Sequence, residues 1–156
     1  MKYDVRLERS NGTPIAVVRI RASRQELSHV VPAACGKVWQ AVQQQRIHGA
    51  GRHVAIYLDE EINLEVGVEL KTPFPEYDEV VASSIPVGPV ATTTHYGPYG
   101  QLLEAHNAIH VCCQNSGWEL AGPNWEIYGH WQDEWNSEPT KIRTDLYYLL
   151  RANESS

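Results

Sequence analysis

A chain of 156 residues is long enough to bury one sizeable core, and 42% hydrophobic against 21% charged residues place it among folding globular proteins, away from disordered ones. Its formal net charge of -6, with no basic cluster denser than Arg19, Arg21 and Arg24, repels polyanions and argues against direct nucleic-acid binding. No apolar run approaches the roughly 20 residues of a spanning helix and no signal-peptide core follows Met1, so a cytoplasmic protein without membrane association is expected.

The first residues lead into a strand-like stretch, and Ile15 to Ile20 is short and β-branched, as a strand should be. Ser23 offers an N-cap to the helix that follows, in which Val38, Trp39, Ala41 and Val42 fall close to one face. Pro32 and Gly36 predict a broken or delayed helix between Arg24 and Gln45, regular only after Pro32, with a stop near Gly49 and Gly51. His53 to Leu58 and Leu64 to Leu70 read as strands around the acidic turn Asp59-Glu60-Glu61. Pro73 and Pro75 mark a connector, after which Val80 to Ile85 reads as an added strand.

The pattern then restarts. Pro89 to Tyr96 is β-rich and Gly97-Pro98 breaks it. Tyr99 to Asn115 carries Leu102, Ala105, Ile109 and Cys112 at helical spacing, and Gly117 stops the helix. Trp125 to Tyr128 and Ile142 to Leu149 supply two more strands around a polar stretch centred on Pro139. Each half therefore reads strand, helix, strand, strand. The fold class that follows is α+β: two pseudo-symmetric βαββ repeats forming one antiparallel sheet, with helices on one face and a groove between them. One domain spans the chain, with repeat one from about residue 13 to 71, repeat two from about 88 to 151 and no DNA-binding domain. Alignment of the halves sets Val54-Ala55-Ile56-Tyr57 against Trp125-Glu126-Ile127-Tyr128, and Val17 to Ile20 against Ala91 to Thr94. A seam between repeats is where a pocket tends to form.

Three motifs, Thr94-His95-Tyr96-Gly97-Pro98-Tyr99, Trp125-Glu126-Ile127-Tyr128 and Arg143-Thr144-Asp145-Leu146-Tyr147, resemble the GyrI-like, AraC/BmrR-type effector-binding family. The resemblance extends to Gly51-Arg52-His53-Val54-Ala55-Ile56-Tyr57 and Glu65-Val66-Gly67-Val68. It implies SH2-like repeats around a pseudo-two-fold axis, and an apolar groove whose central glutamate, matched by Glu126, receives cationic or polar aromatic ligands.

Strand alternation puts Glu126 and Tyr128 on one face and Trp125 and Ile127 on the other. A buried carboxylate without a cation tends to take a proton, and a bound cation restores its charge, so a lone acid among aromatic rings is a mechanism for cation recognition. Trp39, Tyr57, Tyr96, Tyr128, Tyr147 and Trp131 are the aromatic candidates beside Glu126, each able to add cation–π attraction. By pattern alone a solvated strand face for Glu126, and core packing for Trp39 and Trp118, are the plainer alternatives, with Trp125 evenly placed between core and ligand. Gly67 either leaves room for a ligand or marks a bulge.

His106 and His110, at i and i+4, have a metal-capable spacing but no third ligand, and read as a helix flank at the groove rim or in solvent. Cys35, Cys112 and Cys113 lack metal-type spacing and read as reduced structural thiols, one of the adjacent pair being buried. No motif calls for a cofactor or a metal. The functions weighed are a binding module for cationic or amphipathic aromatic molecules and, as the family resemblance implies for some members, a hydrolase of strained cyclopropane-containing genotoxins in which Glu126 and Tyr128 would act. A protein partner, as for a gyrase inhibitor, or a homodimer is the further possibility. Haem binding, as in the similarly folded SOUL proteins, would need an axial ligand that no histidine supplies from sequence.

Overall fold

A computed structural model describes residues 3–21, 27–44, 51–57, 63–71, 80–129 and 132–151. Among the described residues, eight strands form one antiparallel sheet in the order β1-β6-β8-β7-β3-β4-β2-β5. In chain order they are β1 (Arg6–Asn11), β2 (Pro14–Arg21), β3 (His53–Tyr57), β4 (Asn63–Glu69), β5 (Val80–Ser84), β6 (Val87–Tyr96), β7 (Leu120–Tyr128) and β8 (Arg143–Leu150). Helix α1 (Leu27–Gln44) follows β2, α2 (Leu102–Ser116) follows β6, and a short α3 (Glu134–Ser137) precedes β8. Read from either edge, the strands occur in the same sequence of roles: an added strand, the first strand of a βαββ unit, its third, then its second.

The two units meet where β3 pairs with β7, and the register there is that of a two-fold relation: Ala55 lies opposite Glu126, Val54 opposite Ile127 and Ile56 opposite Trp125. Exchanging the halves under the alignment of Ala55 with Glu126 returns the same pairs, so the pseudo-axis passes between these two residues. The ladders extend the correspondence. Val66 beside Ala55 matches Leu146 beside Glu126, and Val68 beside His53 matches Tyr148 beside Asn124. For the first strands they correct the expected alignment by one residue. Val18 faces Val66 as Thr93 faces Leu146, so Val17 to Ile20 correspond to Thr92 to His95. A one-residue slip would have turned every side chain to the wrong face.

One face of the sheet is covered by the helices. Ala34, Val38, Ala41 and Val42 of α1 pack on Ala16, Val18, Ala55, Val66 and Val68. Leu102, Ala105, Ile109 and Cys113 of α2 pack on Ala91, Leu146, Tyr148 and Leu150. A third cluster, with Ile15, Val17, Val54, Ile56, Val90, Trp125 and Ile127, occupies the opposite face. Burial on both faces explains why β2 and β3 read as continuous apolar runs.

Helix α1 runs unbroken through Pro32, against the expected interruption. Proline near a helix start deletes a single backbone bond, and the buried face from Ala34 to Val42 holds the remaining turns on the sheet. The Ser23 cap and the Gly49 stop fall outside the described residues. Helix α2 ends as expected at Gly117, whose φ of 73° is the left-handed cap that glycine adopts without strain. The short α3, unforeseen in the polar stretch before Pro139, buries Trp135. At Gly67 a Cβ would stand 1.7 Å from the Ala16 carbonyl oxygen, so the glycine serves the close approach of β2 and β4 and leaves no ligand space.

Candidate functional site

Helices α1 and α2 cover one face of the sheet on either side of the pseudo-axis. Glu126, one residue from Trp125 and Ile127 of the opposite core, projects with Tyr128 to the helix side, and it is only 5% exposed. Both of its carboxylate oxygens have a donor. The Tyr128 hydroxyl donates to Oε1 at 2.6 Å, and His106 Nε2 lies 2.7 Å from Oε2. With a proton on Nε2 the imidazole donates to the carboxylate, and its Nδ1 lies 2.6 Å from the Tyr148 hydroxyl. His110, one turn further along α2, meets the edge of the Tyr148 ring. The result is a continuous chain, Tyr148 to His106 to Glu126 to Tyr128. Burial, followed by the adjacent Glu126 charge and Tyr57, holds the Tyr128 hydroxyl well above its ordinary range, so it remains a donor.

The α1 side of the groove differs. One shift along the sequence carries Ala34, Val38 and Val42 of α1 onto Ala105, Ile109 and Cys113 of α2, and equally carries Ala55 and Tyr57 onto Glu126 and Tyr128. The same shift sets Cys35 against His106 and Trp39 against His110. Cys35 packs partly buried on the first core, and burial raises its thiol. Trp39 is 46% exposed, one turn beyond Cys35 on the same flank.

Of the residues singled out from sequence, the structure brings Glu126 and Tyr128 into contact, keeps Tyr57 partly buried on the same face, and leaves Trp39 on the groove flank of α1. Two are corrected. Tyr147 follows Leu146 by one residue, so it faces away from the helices and stacks on Trp125 with centroids 5.6 Å apart. Tyr96 shares the face of Thr92 at the end of β6 and is 61% exposed. Trp125 is core, and Trp131 lies outside the described residues. Sequence reasoning missed the part played by His106 and Tyr148. The repeat alignment was the available signal, because the residue one shift from Cys35 must flank the axis.

The remaining motif residues build the frame. Asp145, on the far face, accepts from Thr94 Oγ1 at 2.7 Å and from Arg52 Nη1 at 3.0 Å, while Arg52 Nε also reaches Glu69 at 3.0 Å. Arg52 thereby ties the first repeat to the second across β7. His95 is buried, accepts from the Tyr3 hydroxyl at Nδ1 (2.8 Å) and reaches the Pro98 carbonyl through Nε2 (3.3 Å), fixing the turn into α2. Among the described residues no three His, Cys, Asp or Glu side chains group as a metal site, and no helix is long and apolar enough to cross a membrane.

Comparison with known proteins agrees with this architecture. The model of the GyrI-like small molecule binding domain matches residues 3–151. The chain belongs to this family. Among solved structures, this GyrI-like domain is similar to the EcmrR C-terminal domain, at 17% identity and a TM-score of 0.78 over 98% of this chain and 100% of that one. It spans 58% of the EcmrR chain seen in a complex with DNA. It is also similar to SAV2435 bound to tetraphenylphosphonium, at 11% identity and a TM-score of 0.64, covering 96% of this chain and 94% of that one. A hydrolase encoded by lin2189 from Listeria innocua aligns at 9% identity and a TM-score of 0.63, over 95% and 92% of the two chains. At such identities the likeness concerns the fold. A search of curated protein sequences found no match.

Proposed function

We propose that the groove between α1 and α2 binds a small organic cation with an aromatic body, its charge set against Glu126. The observation that carries this reading is a buried carboxylate at the meeting point of the two repeats, on the helix-covered face, with its two oxygens against Tyr128 and His106. A cation placed there gains from the low local dielectric, and ring faces such as Trp39 and Tyr57 add attraction as water leaves. The tetraphenylphosphonium bound by SAV2435 belongs to this ligand class. Isothermal titration with tetraphenylphosphonium and with benzamidine tests it. Glu126→Gln is expected to weaken both by more than about tenfold, because truncating one partner of a buried charge pair typically costs at least that much. Equal affinity in the variant would remove Glu126 from the site.

A second reading rests on the hydrogen-bonded chain itself. Histidine between a carboxylate and a tyrosine can orient a base for water attack, and a structural neighbour is a hydrolase. Turnover of a strained cyclopropane-containing compound, followed by product mass and lost in Glu126→Gln, is the outcome this reading requires.

A further inference from the structure

Glu126 is nearly closed off, and the partly exposed His106 is one of the two side chains that meet its carboxylate. Its carboxylate side chain is 6% exposed against 19% for the His106 side chain, and the imidazole Nε2 sits 2.7 Å from Oε2. Tyr128 holds the other oxygen at 2.6 Å. A ligand entering between the helices therefore meets the histidine before it meets the acid. From the geometry we infer that His106 occupies the position of the ligand's charged head, and that binding proceeds by displacing it from Glu126. The inference rests on the cation-binding reading and deepens it.

The arrangement suits displacement. His106 is partly exposed on α2, and the exposed His110 lies one turn away, so the His106 ring borders solvent as well as Tyr148. Tyr128 reaches the carboxylate from its own strand and can stay in place while the Oε2 side is vacated. The matching ligand carries a cationic N–H donor, an amidinium or protonated amine, because such a head restores at Oε2 the hydrogen bond that the imidazole gives up and adds a full charge. A cation without N–H must displace the same contact and returns only Coulomb attraction. Both classes thus bear an identical displacement cost.

His106→Ala separates this idea from a positioning role. If the imidazole is a tethered competitor, its removal tightens benzamidine and tetraphenylphosphonium by the same factor, about tenfold, the equivalent of one modest hydrogen bond to a charged group. His106→Gln, which keeps a neutral donor, should stay near the parent affinity. In the unaltered protein, imidazole NMR should show the His106 Nε2 proton leaving its hydrogen bond as benzamidine saturates the site, a signal to which a purely structural histidine would not respond. Unchanged or weakened binding in a folded His106→Ala, or an imidazole signal indifferent to bound benzamidine, overturns the inference while cation binding stands. Failure of both cations to bind parent and variants alike overturns the cation reading and the displacement with it.

Discussion

The two halves of the groove are built on one plan and filled with opposite chemistry. On the second-repeat side, Tyr148, His106, Glu126 and Tyr128 form a polar chain; at the corresponding first-repeat positions stand Val68, Cys35, Ala55 and Tyr57. Only the tyrosine is common to both. The far face repeats the contrast, for Trp125 stacked on Tyr147 corresponds to Val54 beside Gly67. The comparison teaches that the backbone and its register carry the symmetry, while side chains at a few positions around the axis break it.

The sharpest way to probe the contrast is to truncate both members of the far-face pair. Trp125→Ala is expected to cost about 3–5 kcal/mol in urea unfolding, and Val54→Ala about 2 kcal/mol, although both are fully enclosed and occupy equivalent positions. Equal losses would mean that the halves are packed alike despite their sequences. Next in size is Tyr128→Phe, which removes a donor to the buried carboxylate and should cost about 1.5–3 kcal/mol.

The same tyrosine makes a pH prediction. Its folded pKa lies above the unfolded value, so its contribution is complete below about pH 10 and disappears as pH rises further, when the unfolded chain ionises first. Tyr147, raised by burial and then by Asp145, acts in the same direction. Stability of the parent protein should therefore fall above about pH 10, and less steeply in Tyr128→Phe. The smallest structural effect belongs to Trp39→Ala. An indole 46% exposed should leave the unfolding midpoint within about 0.5 kcal/mol, yet benzamidine affinity should drop about threefold as one ring face is lost.

Much of this was legible in the sequence. Alternation around Trp125-Glu126-Ile127-Tyr128 set the acid and its tyrosine on one face, and the helical spacing of Leu102, Ala105 and Ile109 gave α2 its buried side. Membership of a motif proved a poorer guide than parity. Tyr147 shares a motif with pocket-side residues although it is one residue from Leu146 and so on the other face, and Arg143 and Asp145 belong with Arg52 to the far-face clamp. Pro32 misled because a local rule about one backbone donor was weighed without the packing of the next three turns. His106 was seen only as half of a histidine pair, since the Tyr148 that orients it lies 42 residues away in sequence and enters the site through the sheet ladder.

The position of the pseudo-axis has one more consequence. Were the two repeats separate, identical chains assembled about a true two-fold, whatever stood at position 126 would face its own copy across paired strands. Two carboxylates at that separation, about 5 Å, would repel by about 3 kcal/mol, and neither could have the groove's charge to itself. Joining the repeats in one polypeptide frees the two positions to differ. An axis that in a homodimer would offer both ends of a bound molecule the same groups is here flanked by different ones.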